Sequence, residues 1–551
     1  MPHMERATSR LGVIILAAGR GTRMRSERAK VLHAVAGKPF ILSVLDAALA
    51  LTPDRIAVVV GHEAEKVERV CAEHLTGRGA ETPVVYSLQR EQHGTGDAVR
   101  AAAPAFEGFA GDLLVLYGDV PALTPATLSM LIAHHRRAGA ALSLLTATFD
   151  DPSGYGRIRR RADGGIAGVV EERDLAAAER GIREVNPGIY CAAADFLLPA
   201  LTRLRDDNVQ REYYLTDVVG MAVADGLPVA TLPVADIEEV AGINSRKEMA
   251  RMEERVRRAL VERWMEAGVT FRNPATAYIE DGVTIGADTE IGPNVQLLGR
   301  TAIGRGCRID GTALLRDAAI GDRVHLRLGV VMTDCRVGDD AVIGPFAHLR
   351  PRSVLAPGVH IGNFVETKNV RLGAGTKANH LTYLGDAEVG DHTNIGAGTI
   401  TCNYDGFTKH RTVIGSRVQI GSDTQLVAPV TVADDAYVGA GTTVTRDVPA
   451  GHLVLSRVPQ RTVAGWVERR RAKTSGTPAH TAPTRPAEPV TPPRPERAVV
   501  PARPAEAVAA GKAAATPRAI GLAKAPPAKR KTVRPTARPP RLVNSGRRGK
   551  R

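Results

Sequence analysis

Nowhere in this chain does an apolar run reach the length needed to cross a bilayer, so membrane insertion is not expected. The first residues, MPHMERATSR, lack the apolar core and small-residue cleavage site of a secretory signal. The apolar stretch GVIILAAG behind them is too short to be one, and the expected location is the cytoplasm. Cysteine is scarce and scattered: Cys71, Cys191, Cys307, Cys335 and Cys402 form no C-x-x-C pair. That odd set argues against a disulfide framework or a zinc knuckle and for reduced thiols.

Acidic residues are nearly missing from one end. From Ala472 onward 18 Lys and Arg face 3 Asp and Glu, an excess that by itself exceeds the net charge of +14 carried by all 551 residues. The positive charge is therefore a property of the tail alone. Rich in Pro and Ala and poor in aromatics, residues 472–551 cannot bury enough apolar area to offset the entropy of ordering them. Disorder is expected there. The basic end, KRKTVRPTARPPRLVNSGRRGKR, can meet nucleic acid or anionic lipid through charge but offers no aromatic platform for bases. A solvated, weakly interacting tail is the simpler reading, with its partner left open.

What is present is two rhythms. Up to about residue 240, short apolar runs (GVIILAAG, RIAVVVGH, PVVYSLQ, DLLVLYGD, ALSLLTATF) alternate with amphipathic segments, which predicts a parallel α/β sheet covered on both faces. Ligands of such sheets bind beyond the carboxyl ends of the strands, where LAAGRGTRM and LYGDVP stand. Next, NSRKEMARMEERVRRALVERWMEAG is spaced for a helix, with Met249, Met252, Val256, Leu260 and Trp264 along one side. Packing against its own domain is the plain explanation of that stripe, and a partner helix site the alternative.

Beyond the helix the period becomes six. Ile285, Ile291, Leu297, Ile303, Ile309 and Leu315 form one run, Val337, Ile343, Leu349, Leu355 and Ile361 another, and Ile414, Ile420, Leu426, Val432, Val438 and Val444 a third. Such a repeat is the signature of a parallel β-helix whose turns stack aliphatic residues on one another. The frame slips where Thr367 to Leu372 and Leu384 to Val389 span five, bracketing His380 in GTKANHLTYLGD. From Thr401 to Ile414 the step is thirteen where two repeats would take twelve, and the segment holds CNYDGFTKH. Departures from a solenoid's repeat become loops or bulges, common places for binding residues.

LAAGRGTRM is Gly-rich but neither a Walker loop nor a dinucleotide fingerprint. Gly19 and Gly21 allow close backbone approach to phosphate, and Arg20, Arg23 and Lys30 can neutralise it; a glycine turn with solvated arginines would explain the motif standing alone. It is followed in order by KVL at Lys30, QREQHGTGDA, LYGDVP, GYGRI, VVEE, NPGIY and GINS, and then by the hexad repeats. In that order, from about residue 11 to Trp466, the chain resembles the bifunctional bacterial N-acetylglucosamine-1-phosphate uridyltransferases/glucosamine-1-phosphate acetyltransferases.

The resemblance implies an N-terminal nucleotidyltransferase domain with a Rossmann-like mixed sheet (residues 1–246), a helical linker (247–267), a left-handed parallel β-helix acetyltransferase domain (268–471) and the basic tail. It implies acetyl transfer from acetyl-CoA to glucosamine 1-phosphate, then uridylyl transfer from UTP with release of pyrophosphate, in homotrimers. Leu16, Ala17, Ala18, Gly19, Lys30, Gln89, Gly94, Thr95, Tyr117 and Gly118 would then hold the uridine nucleotide, and Gly156, Glu171, Asn186 and Asn244 the sugar end. Asp119 and Asn244 would bind Mg2+. The chemistry agrees, since transfer between phosphates gathers negative charge that a hard cation and a lysine can offset; a turn before Pro121 is the bland account of Asp119.

In the β-helix the resemblance makes His380 the base that deprotonates the substrate amine, a task suited to an imidazole near neutral pH. Arg350, Lys368, Tyr383 and Asn394 would hold the sugar phosphate, and Ala397, Asn403, Tyr404, Ser422, Ala440 and Arg457 the acetyl-CoA, with Ser422 a candidate oxyanion donor and Lys409 a candidate phosphate ligand. Outward wall residues and corner packing are the structural explanations of the same side chains. Two departures from the family pattern stand out: Ala29 replaces the usual Pro before Lys30, which predicts a less rigid loop, and Pro187 follows Asn186 where Thr is common, removing a backbone N–H. A nucleotidyltransferase with a merely structural β-helix, and a non-enzymatic scaffold with a binding tail, are the alternatives.

Overall fold

The computed structural model describes residues 10–475; the expected disordered tail lies outside the described residues from 476 onward. Residues up to Gln460 form one compact unit, and a second begins at Arg461, of which the helix Trp466–Ser475 is described.

The N-terminal sheet has ten strands. The apolar runs Arg10–Leu16, Arg55–Val60, Val84–Leu88 and Gly111–Tyr117 pair in parallel. Alternation along the first decides its surroundings: Val13 and Ile15 point into one apolar cluster, Ile14 and Leu16 into another on the opposite face. Leu142–Thr148, read as a further parallel neighbour, is separated from Gly111–Tyr117 by Tyr190–Ala193, antiparallel to both. The sheet is therefore mixed, and the antiparallel strands Gly156–Arg160, Ile166–Val170 and Glu184–Asn186 extend its far edge.

The helix Arg246–Glu266 starts at a capping box, Ser245 Oγ accepting from Glu248 N–H while the Glu248 carboxylate accepts from Ser245 N–H. Its apolar stripe is a packing face. Met252 and Leu260 are buried with Val35, Ala36, Phe40 and Ile243, whereas Trp264 packs on the β-helix core.

In the regular coils of the β-helix a strand pairs in parallel with the third strand after it, so that Ile285 lies beside Ile303 and Ile291 beside Ile309. Three repeats of six make one coil with three walls, and the aliphatic residues fill one continuous core. At the two five-residue steps adjoining strands merge: His360–Leu372 and Lys377–Val389 are each 13 residues long and pair along their length. The thirteen-residue step is differently built from the expectation of two repeats plus one. Val389 pairs with Ile414, so a single repeat has absorbed seven extra residues, which leave the wall as a loop pinched by a bridge between Tyr404 and Lys409.

Candidate active sites

Nine of the ten residues named for the nucleotide, Leu16, Ala17, Ala18, Gly19, Lys30, Gln89, Gly94, Thr95 and Tyr117, line one cleft of about 290 Å³ beyond the strand ends, together with Asp119, named for the metal. Gly118 lies beneath it, its N–H donating to Leu16 C=O at 2.9 Å. At Gly21, with φ +62°, a side chain would also strike Lys30 Cβ at 2.6 Å; at Gly19 a Cβ would meet no protein atom. The demand for glycine at 19 is thus left to whatever enters the cleft. Gln92 and Glu212 also line it, and Gln92 Nε2 donates to Ala18 C=O at 2.6 Å. Glu212 lies in none of the motifs, and Gln92 stands inside QREQHGTGDA without having been named for the site.

Lys30 Nζ is the meeting point of the site, donating to Asp119 Oδ2 and, at 3.0 Å, to Asn244 Oδ1. Two oxygens from residues far apart in sequence already converge on a cation. Hard oxygen donors, few in number, fit a divalent ion that draws its other ligands from phosphate and water. Among the described residues no group of three or more His, Cys, Asp or Glu gathers as a metal cage, so a protein-only site is not what this cleft offers.

Toward the sheet's far edge, Asn186 pairs in register with Gly156, and a Cβ on Gly156 would lie 3.6 Å from the Glu171 carboxylate. Glu171 accepts from Thr216 Oγ1 at 3.0 Å, and burial pushes its pKa up. Asn186 Oδ1 takes the N–H of Gly188 at 3.0 Å, bonding the next available amide after Pro187.

Ala29 also behaves differently from expectation. Its N–H, which a proline would not have, donates to Glu63 Oε2 at 2.7 Å. The loop gains a tether in place of a ring.

In the β-helix the seventeen-residue coil sets Asn363 beside His380. His380 is exposed on the wall, with Nδ1 2.8 Å from Asn363 Oδ1. Because that oxygen only accepts, Nδ1 carries the proton and Nε2 presents its lone pair. Asn363 was not singled out in the sequence, although the repeat length alone places it there. The same register carries His380 onto a column of small residues, for Ala397, Ser422 and Ala440 occupy its position on the next three coils, and Arg457 Nε donates to Ala440 C=O at 3.0 Å.

At the other edge of this wall Arg350, Lys368 and Lys409 crowd together. Lys409 first, then Arg350, hold the Lys368 ammonium below its ordinary pKa. Arg350 Nη1 donates to Glu366 Oε1 at 2.6 Å, and Tyr383 pairs with Glu366 between the two edges. Asn394 starts the next coil beside Lys377. Asn403 does not join the Ala397 column: its amide donates to Asp386, which also accepts from Asn369, and so roots the inserted loop. Tyr404 bonds within that loop, to Gly406 C=O. Asp405 closes it by accepting from Phe407 N–H, Thr408 N–H and His410.

Known proteins divide the chain the same way. The family described as MobA-like NTP transferase domain matches residues 13–215, and that described as bacterial transferase hexapeptide (six repeats) matches 411–446. Proteins named Bifunctional protein GlmU are similar along nearly their whole length. The one from Pelobacter propionicus is 48% identical over 464 residues, 84% of this chain and 99% of its own. That from Geobacter sulfurreducens is 48% identical over 84% of this chain and 99% of its own, and that from a Synechococcus strain 45% over 84% and 100%. This chain belongs to the GlmU family. As a GlmU it is a bifunctional transferase of UDP-N-acetylglucosamine synthesis, with uridyltransferase and acetyltransferase activities, using nucleotide and acetyl-CoA substrates and a divalent metal. That sets aside both the structural-solenoid and the scaffold readings. Among the described residues of this GlmU no helix is long and apolar enough to cross a membrane.

Proposed function

We propose that the two heads divide the reactions by the residues above, in a cytoplasmic homotrimer that takes Mg2+ as its metal. At the N-terminal cleft, a phosphate oxygen of N-acetylglucosamine 1-phosphate attacks the α-phosphorus of UTP, and the bond to the leaving pyrophosphate breaks. No protein nucleophile is needed; position and charge do the work. Asp119 and Asn244 would hold the ion, which when bound offsets phosphate charge. Lys30 would meet the phosphates, Gln89, Gly94 and Thr95 the nucleoside, and Gly156, Glu171 and Asn186 the sugar.

In the β-helix, His380 Nε2 takes a proton from the ammonium of glucosamine 1-phosphate, whose phosphate sits among Arg350, Lys368 and Lys409, with Tyr383 and Asn394 hydrogen bonding the sugar. The amine attacks the thioester carbonyl, Ser422 hydrogen bonds the resulting oxyanion, and the C–S bond breaks to release CoA thiol. Ala397, Ser422 and Ala440 leave a trough beside His380 for the acyl arm, with Arg457 at its end and Asn403 and Tyr404 bordering from the inserted loop. The observation that carries this reading is the contact of His380 Nδ1 with Asn363 Oδ1 at 2.8 Å, which leaves Nε2 on the opposite side of the ring for the substrate.

The trimer has support in a ridge at the corner next to His380. Leu328, Phe346, Phe364 and Leu381 are 45, 50, 55 and 65% exposed, and the two phenylalanine rings stack with centroids 5.8 Å apart. An apolar ridge beside a half-open site is what a neighbouring copy would cover.

The test assays the two heads separately, following free thiol with glucosamine 1-phosphate and acetyl-CoA, and pyrophosphate with N-acetylglucosamine 1-phosphate, UTP and magnesium. Asp119→Ala is expected to end pyrophosphate release and spare thiol release, and His380→Ala to do the reverse. Loss of both products in either variant would defeat the division of labour.

A further inference from the structure

The hairpin that follows Lys30 is gripped from outside its own domain. Lys30–Leu32 is a 3-10 turn, and directly after it Ala34–Val35 and Lys38–Pro39 pair as a short antiparallel ribbon. Its tip residues Ala36 and Gly37 both have left-handed backbones, with φ of 47° and 76°. Nothing in the nucleotidyltransferase sheet takes up the polar groups of that tip; the arm helix and the first coil of the β-helix do. Ala36 N–H donates to Glu253 Oε2 at 3.0 Å, and Ala36 C=O accepts from Asp281 N–H at 3.0 Å. Lys38 Nζ bridges Asp46 at 2.6 Å and Asp281 at 3.1 Å. The other carboxylate oxygen of Glu253 accepts from Tyr278 OH at 2.8 Å, so a β-helix side chain sets the orientation of the group that holds Ala36. Even the absence of a side chain is used, since a Cβ on Gly37 would come within 2.5 Å of the Glu280 carboxyl carbon.

The same helix places the second group that meets Lys30. Asn244 stands just before its capping box, and Asn244 N–H donates to Glu248 Oε2 at 2.6 Å. One rigid element thus positions Asn244 from its first turn and the Lys30 hairpin from Glu253, five residues further on.

We propose that Glu253, oriented by Tyr278 of the first β-helix coil, is a positioning residue for uridylyl transfer. It acts through Ala36 to set where Lys30 stands relative to Asp119 and Asn244. The inference rests on the reading of Lys30 as a phosphate-binding residue. A misplacement of about 1 Å remote from the chemistry costs a reaction of this type up to about 100-fold, so releasing the hairpin is expected to appear in kcat.

The experiment uses the full chain and the variants Glu253→Ala, Glu253→Gln and Lys30→Ala, reading kcat and KM for both substrates of uridylyl transfer, thiol release by the other head, and melting temperature. Glu253→Ala is expected to lower uridylyl kcat by about 10-fold or more, with thiol release and KM for the sugar phosphate unchanged. Glu253→Gln is expected to restore it to within about 2-fold, because its carbonyl accepts from Ala36 N–H while its amide donates to the Tyr278 oxygen. Unchanged kcat in Glu253→Ala, parallel loss of both activities with the melting temperature, or a Gln variant as poor as Ala would each overturn the proposal. Should Glu253→Ala not fold, Tyr278→Phe, which removes only the orienting hydroxyl, is read in its place: a several-fold fall in uridylyl kcat supports the brace and an unchanged one overturns it. Lys30→Ala separates the two claims. If Lys30→Ala keeps full uridylyl transfer, the reading of Lys30 falls and the brace with it; if Lys30→Ala is inactive and Glu253→Ala is not impaired, the brace alone falls.

Discussion

At the scale of single residues, the role proposed for His380 as base depends on a neighbour one coil away, Asn363. Replacing it by Ala removes the base, and a general base contributes about 10²- to 10⁴-fold; thiol release is expected to fall by that range while pyrophosphate release is unaffected. Asn363→Ala leaves the base but not its tautomer, so a smaller loss, about 10-fold, is expected in the same assay. Lys368 makes a prediction with a sign. Lys409 and Arg350 lower its pKa, so the ammonium is charged below that pKa and is lost as pH rises through it, earlier than an ordinary lysine would be. The alkaline limb of kcat/KM for glucosamine 1-phosphate reports the free enzyme, and in Lys409→Met it is expected to move to higher pH. A limb that stays in place would mean Lys368 does not meet the phosphate.

At the scale of elements, the three hexad runs predict inward residues that are all buried in the solenoid core, because burial follows the period. The five-residue steps on either side of His380 fall within fused strands; the same step from Leu315 to Ile320 fuses none. Less was legible where contacts cross between coils or between chain segments. That Asn363 lies beside His380 follows from counting seventeen residues back, but that Asn403 turns to Asp386, away from the Ala397 column, depends on how an inserted loop roots itself. In the sheet, the apolar runs are readable as strands, whereas the antiparallel insertion of Tyr190–Ala193 is a choice of partner that no local pattern encodes. The solenoid's one-dimensional packing has a measurable consequence. Leu384 is fully buried between neighbouring coils, and Leu384→Ala is expected to cost about 2–5 kcal/mol, seen in denaturant melts. Because coils support only their neighbours, the expected loss in activity falls on thiol release, with pyrophosphate release retained; an equal loss in both would show tighter coupling.

At the scale of the whole molecule, the chain contains two catalytic heads joined by a helix that packs on each. In the proposed trimer the exposed ridge of Leu328, Phe346, Phe364 and Leu381 is covered by a neighbouring copy. Phe346→Asp with Phe364→Asp is expected to shift the trimer to monomer in size-exclusion chromatography and to depress thiol release by at least about 10-fold, since burial of such rings contributes about 1.5–3 kcal/mol each. Uridylyl transfer, whose cleft is lined by one copy, is expected to survive. A variant that stays trimeric, or a monomer that still acetylates at full rate, would remove the ridge from the assembly.

The tether from Ala29 to Glu63 makes two distant positions depend on each other. A proline at this position would ordinarily stiffen the loop by restricting the unfolded chain, and relatives that carry one have no donor to offer there. Here the amide has acquired an acceptor, and that acceptor also pairs with Lys66. A proline at position 29 would leave Glu63 with Lys66 as its remaining partner. What that exchange does to the loop therefore depends on the residue at position 63, so the two positions are to be varied together.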